Sequence, residues 1–124
     1  MSDLNDCILV VDDDFMIADA WCLVLEDIGL DVCGVAASAA DAIALAESHR
    51  PRIVLMDMRL RGEADGVDAA LAIHAGVGSK VIFITGSKEP STTARIQTGH
   101  AAAVLFKPVS DQQLQAAVRA AMAA

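Results

Sequence analysis

The chain has 124 residues, 55% of them hydrophobic, and a formal net charge of −8. That length supports one domain, residues 1–124, built on a single hydrophobic core, and that apolar content excludes a disordered chain. The acidic balance disfavours direct binding to nucleic acid or to an anionic membrane surface, and no apolar run is long enough to span a bilayer.

The opening MSDLNDC carries acids and no basic region ahead of an apolar stretch, so no signal peptide is expected and the cytoplasm is the expected location. The three cysteines, Cys7, Cys22 and Cys33, form no CxxC pair. They read as reduced thiols acting as small core residues. Cys7 to Val11 is a compact strand-type run. Ile17, Trp21, Val24, Leu25 and Ile28 then recur at helical spacing, and Gly29 ends that helix. Asp31 to Ala36 reads as a second strand. Ser38 with Asp41 looks like a capping box for a helix whose face is Ala39, Ala42, Ile43 and Ala46.

After Pro51, Ile53 to Met56 forms a third strand that ends in Asp57. A polar loop, MRLRGEADG, leads to a third helix striped by Val67, Ala70, Leu71 and His74, where His74 is expected to be partly buried. Lys80 to Thr85 is a fourth strand. The stretch GSKEPSTTARIQTG holds at most one short helix, weakened by Pro90 and several hydroxyl residues. Ala102 to Phe106 is a fifth strand. Ser110 and Gln113 then cap a last helix with the face Leu114, Ala117, Val118 and Ala121. Trp21 and the methionines read as core or partial core, and His49 lies near a helix end, where a cation is favoured. Strands alternating with helices argue for an α/β, doubly wound parallel sheet with right-handed crossovers. The strands are continuous apolar runs, as a sheet covered on both faces requires.

In such a sheet the ligand site lies beyond the carboxyl ends of the strands. The residues expected there are Asp12 and Asp13 after the first strand, Asp57 after the third, Thr85 after the fourth and Lys107 after the fifth. Clustered carboxylates repel, and either a shared proton or a hard divalent cation must offset that. Mg²⁺ takes one or two carboxylates together with phosphate oxygens. An aspartate beside such a cation is a nucleophile suited to forming an aspartyl-phosphate, with a lysine and a hydroxyl holding phosphoryl oxygens. Singly, each residue has an ordinary structural role: a cap, a strand end, a loop charge. Asp14 reads as a helix N-terminal acid rather than a ligand. The functional reading rests on all of them meeting at one sheet edge.

The motifs ILVVDDD, VLMDMRL, IFITG and LFKPV, in that order and spacing, resemble the receiver domain of two-component response regulators over the whole chain. The resemblance implies a flavodoxin-like (βα)5 fold with a five-stranded parallel sheet of order 2-1-3-4-5. It implies Asp57 as phosphoacceptor, Thr85 as phosphate-contacting hydroxyl, Lys107 as the active lysine, and often a cis Lys–Pro peptide. Mg²⁺ would be held by Asp13, Asp57 and the backbone carbonyl of Arg59, with Asp12 acting directly or through water. The donor would be a histidine kinase or a histidine phosphotransfer protein. The chain would catalyse its own phosphorylation and dephosphorylation without being an enzyme in the ordinary sense. Output would pass through protein contacts on the face of the fourth helix, fifth strand and fifth helix, or through phosphorelay, and not through nucleic acid.

The sequence departs from the family pattern at three places. Val104 stands where most receivers carry Tyr or Phe, Gly86 follows the hydroxyl residue, and Arg61 replaces a common proline in a loop one residue longer. FITG is similar to a stand-alone receiver subgroup with a Phe-Ala-Thr-Gly-type motif, so a single-domain regulator with a less ordered fourth helix and a non-standard switch is expected. Two other readings remain at this point. A pseudo-receiver would keep the fold as a binding module without phosphorylation. A haloacid-dehalogenase-type phosphohydrolase would use Asp12 and Asp14 as its DxD pair with Asp12 as nucleophile, although Met16 stands where that motif has Thr or Val. A P-loop NTPase is excluded, since no GxxxxGK precedes the acidic strand.

Overall fold

The computed structural model describes residues 3–123. The elements alternate along the chain: β1 (Asn5–Val11), α1 (Phe15–Asp27), β2 (Asp31–Ala36), α2 (Ala39–His49), β3 (Pro51–Asp57), α3 (Gly66–Gly76), β4 (Lys80–Thr85), α4 (Pro90–Gln97), β5 (Ala101–Phe106) and α5 (Asp111–Ala123). The strands form one parallel sheet in the order β2-β1-β3-β4-β5.

Side chains alternate across a strand, so a sheet covered on both faces needs apolar residues at every position. The three central strands show this directly. Leu9, Val11, Val54, Met56, Val81 and Phe83 pack with Ala42 and Ala46 of α2, Val67, Ala70 and Ile73 of α3, and Ile96 of α4. Ile8, Val10, Ile53, Leu55, Ile82 and Ile84 pack on the other face with Ala18, Trp21 and Leu25 of α1 and with Leu114 and Val118 of α5. The small face of α2 lets that helix lie close to the sheet.

Local signals explain most element ends. Asp14 caps α1, its carboxylate accepting the N–H groups of Met16 (3.0 Å) and Ile17 (3.4 Å). Gly29 sits at φ 81 after α1, and the Leu30 N–H returns to the Leu25 carbonyl. Ser38 Oγ accepts the Asp41 N–H at 3.2 Å. At α5 the box is reciprocal: Ser110 N–H donates to Gln113 Oε1 (2.9 Å), and Gln113 N–H to Ser110 Oγ (3.1 Å).

Several expectations need correction. Pro51 opens β3 rather than preceding it, since the first residue of a strand can dispense with an N–H. Pro90 likewise begins α4 at a position where its missing N–H costs nothing, so it starts that helix instead of weakening it. The buried stripe of α3 runs through Val67, Ala70, Ile73 and the following Val77, which leaves His74 exposed and Leu71 at the margin. His74 instead stacks on His100, with ring centroids 4.2 Å apart. Met16 is 83% exposed beside the N-terminus of α1, unlike the core residue Met56. The three cysteines are free and half-buried, at the margins of the core. Among the described residues no helix is long and apolar enough to cross a membrane.

Candidate functional site

The carboxyl ends of β1, β3, β4 and β5 open into one cleft lined by Asp12, Asp13, Asp57, Thr85 and Lys107. Parallel pairing places them there. Val11 is level with Met56 on β3, so Asp12 and Asp13 emerge beside Asp57, while Thr85 ends β4 level with Phe106, one residue before Lys107. The Lys107 N–H donates to the Thr85 carbonyl at 2.8 Å, holding the two strand ends together. The Lys107–Pro108 peptide is cis, as the family resemblance implied.

Carboxylate oxygens of Asp12, Asp13 and Asp57 all lie within 4.8 Å of one another. Asp12 and Asp57 are buried, at 1% and 5% exposure. Asp12 Oδ1 accepts the Asp14 N–H at 2.8 Å, whereas its Oδ2 is buried without a hydrogen-bond partner. Lys107 Nζ donates to Asp57 Oδ1 at 3.2 Å. Burial pushes the Asp12 carboxyl up to about 6; the Asp14 N–H counteracts this and the Asp57 charge adds to it. Burial also raises Asp57 above the usual carboxylate value, against the pull of the Lys107 ammonium. A buried carboxylate oxygen with no donor, beside two further carboxylates, is an oxygen-only donor set of the kind a hard divalent cation takes. The residues present therefore fit Mg²⁺.

Thr85 is 3% exposed, and its Oγ1 accepts the Ser87 N–H at 3.1 Å. A hydroxyl that accepts one bond still has its proton to donate. Arg59 lines the cleft from the β3–α3 loop. That loop is anchored by the Arg61 N–H to the Ala37 carbonyl (3.0 Å) and by the Arg61 guanidinium, 5.4 Å from the Phe15 ring centroid.

Two residues that position the site escaped the sequence reading. Asp65 caps α3 in a reciprocal box with Asp68, at 2.9 and 3.0 Å, and also lines the cleft. The D-x-x-D spacing of Asp65 and Asp68, at the start of the Val67 and Ala70 stripe, was the available signal. Gly66 packs against the backbone of Asp57: a Cβ there would collide with the Asp57 carbonyl oxygen and stand 3.0 Å from Met56 Cγ. Such a close approach is a tertiary fact with no local signature beyond the glycine itself. The DxD pair of the hydrolase reading does not form. Asp14 spends its carboxylate on the N-terminus of α1 and stands outside the acid cluster.

The family description of the response regulator receiver domain matches residues 8–119. The chain belongs to this family. It is 29% identical over 115 residues to the transcriptional regulatory protein PdtaR of Mycobacterium tuberculosis, covering 93% of this chain and 56% of that protein. It is 36% identical over 116 residues to the tetrathionate response regulatory protein TtrR of Salmonella typhimurium, covering 91% of this chain and 54% of that protein. The chain thus spans about half the length of these curated relatives. Among solved structures, the receiver domain of a modulated diguanylate cyclase from Desulfovibrio desulfuricans superposes with a TM-score of 0.87 at 34% identity, covering 94% of this chain and 92% of that one. A CheY-like receiver protein from Methanospirillum hungatei superposes at 0.85 and 28% identity, covering 93% and 91%. The receiver family and the 2-1-3-4-5 sheet expected from the sequence are both found.

Proposed function

We propose that this receiver domain accepts a phosphoryl group on Asp57 from a phosphohistidine of a histidine kinase or phosphotransfer protein, and signals through protein contacts or onward relay. The observation that carries this reading is the Asp57 carboxylate itself. It is buried at the floor of an open cleft, held by Lys107 at 3.2 Å, and flanked by two further carboxylates.

In the transfer, a carboxylate oxygen of Asp57 bonds to phosphorus as the phosphorus–nitrogen bond of the donor histidine breaks. The imidazole leaves with the bonding pair. Asp12, Asp13, Asp57 and the carbonyl of Arg59 would hold Mg²⁺, which would supply charge neutralisation for a dianionic phosphoryl group arriving among carboxylates. Lys107 orients Asp57 before transfer and balances charge on a phosphoryl oxygen after it. Thr85 donates its free hydroxyl proton to another oxygen. Positioning and electrostatics provide most of the rate enhancement in phosphoryl transfer.

The test is the intact mass after incubation with acetyl phosphate and Mg²⁺, for wild type and Asp57→Asn. A single phosphoryl adduct is expected in wild type only, and only with Mg²⁺. A wild-type protein that binds neither Mg²⁺ nor beryllofluoride refutes this reading in favour of a pseudo-receiver. An adduct that persists in Asp57→Asn places the nucleophile elsewhere.

A further inference from the structure

The helix that follows β4 is weakly held. α4 has eight residues, PSTTARIQ, buries only Ile96, and has no side-chain bond at its Glu89 cap. A helix this short is marginal without tertiary contacts. Its polar side chains supply two. Thr92 Oγ1 shares a hydrogen bond with Ser87 Oγ at 3.1 Å, and Ser87 also donates its N–H to Thr85 Oγ1 at 3.1 Å. Arg95 Nη2 reaches Asp68 Oδ1 at 2.8 Å and Asp65 Oδ1 at 3.3 Å, in the capping box where the β3–α3 loop ends. Thr92 and Arg95 are three residues apart, and so share a helix face with Ile96. That face is tied to both loops lining the cleft. Meanwhile Val104, level with Phe83 on the adjacent strand, offers neither a hydroxyl nor a ring to couple Thr85 to the sheet edge.

We infer that Thr92 and Arg95 are positioning residues that couple the cleft to α4, through a Thr85–Ser87–Thr92 hydrogen-bond chain and an arginine fork onto Asp65 and Asp68. The inference rests on the phosphoacceptor reading of Asp57. When Thr85 donates its proton to an anion in the cleft, its oxygen becomes a better acceptor for the Ser87 N–H, because linked hydrogen bonds polarise one another. The β4–α4 loop is drawn inward, and Ser87 carries Thr92 with it. Each link is individually weak. α4 has so little other support that a weak link decides how often it opens. Linkage makes the effect reciprocal: a residue that lets the cleft steady α4 also lets α4 favour an anion in the cleft.

Hydrogen exchange of α4, read by mass spectrometry, tests this with and without beryllofluoride and Mg²⁺, the phosphoryl mimic. Without ligand, Thr92→Val is expected to exchange roughly three- to tenfold faster in α4 than wild type, with Thr92→Ser close to wild type. Beryllofluoride is expected to slow α4 exchange in wild type and Thr92→Ser, and to have most of that effect removed in Thr92→Val. The beryllofluoride affinity of Thr92→Val should fall by a matching factor. Arg95→Gln should loosen α4 together with the first turn of α3. Exchange in Thr92→Val equal to wild type in both states overturns the coupling. So does a wild-type protein that takes up beryllofluoride and leaves α4 unchanged. Failure of wild type to bind either Mg²⁺ or beryllofluoride instead overturns the phosphoacceptor reading on which the coupling rests.

Discussion

Replacing Asp12 with asparagine is expected to stabilise the metal-free protein at neutral pH. Asp12 is 1% exposed, and burial raises its carboxyl from 3.8 to about 6. The folded state therefore holds the proton more tightly than the unfolded chain. Below about pH 4 both states are protonated and the site costs nothing. Between about pH 4 and 6 the unfolded chain ionises first, so stability falls as pH rises; above that window the whole cost remains. Titration at about 6 instead of 3.8 corresponds to a cost on the order of 3 kcal/mol once Asp12 is ionised. Asparagine keeps an oxygen for the Asp14 N–H, now 2.8 Å from Oδ1, and puts an amide donor in place of the unpartnered Oδ2, in a residue clustered with the Asp13 and Asp57 carboxylates. Imperfect pairing of the new amide offsets part of the gain, leaving about 1–2 kcal/mol, or roughly 4–8 °C in Tm for a domain of this size. Thermal unfolding followed by circular dichroism in EDTA, at about pH 7.5 and about pH 4.5, measures it. The rise should be present at the higher pH and nearly absent at the lower. Added Mg²⁺ should reverse the ranking by stabilising wild type more than the variant. An Asp12→Asn protein no more stable than wild type at about pH 7.5, or one whose gain is independent of pH, refutes the reasoning.

Three further outcomes are expected. Gly66→Ala forces a methyl group onto the Asp57 carbonyl, which outweighs the better helix propensity of alanine. A loss of about 2–3 kcal/mol in urea unfolding and a weakened Mg²⁺ affinity should appear together, and a variant as stable as wild type would show that the α3 start can simply move. Ser79→Ala removes a 2.5 Å buried bond from the hydroxyl to the Pro51 carbonyl. It should cost about 1–2 kcal/mol with an unchanged urea m-value. The Cys33 thiol is pushed up to about 12, first by burial and then by its hydrogen bond with Cys7. At about pH 8 its alkylation in the native protein, read by peptide mass spectrometry, should be at least roughly tenfold slower than in the denatured chain, and equal rates would contradict the burial argument.

The sheet was legible from the sequence because its central strands are covered on both faces, which demands unbroken apolar runs. Val10, Leu55 and Ile82 lie in three such runs and sit side by side in the structure. The acid, hydroxyl and lysine positions were legible for a related reason: parallel strands bring their carboxyl ends to one edge, so Asp12, Asp57, Thr85 and Lys107 had to converge once the strands were recognised. Helix ends with side-chain caps at Asp14, Ser38 and Ser110 were equally local.

Other features depended on packing that no sequence window contains. His74 and Ile73 are both compatible with a helical stripe on α3, and only docking against the sheet and α2 selects Ile73 for the core. The contact of Gly66 with Asp57, the fork from Arg95 to Asp65 and Asp68, and the bond from Ser87 to Thr92 join residues whose partners are set by how the loops close over the strand ends. The raised carboxyl of Asp12 belongs with them, since an aspartate's charge becomes costly only when surrounding side chains take its water away. The sequence by itself determined which chemical groups meet at the sheet edge, through periodicity and strand direction. Tertiary structure alone decided how deeply they are buried, which oxygen lacks a partner and which helix is tied to them, because those properties come from the three-dimensional neighbours of each atom.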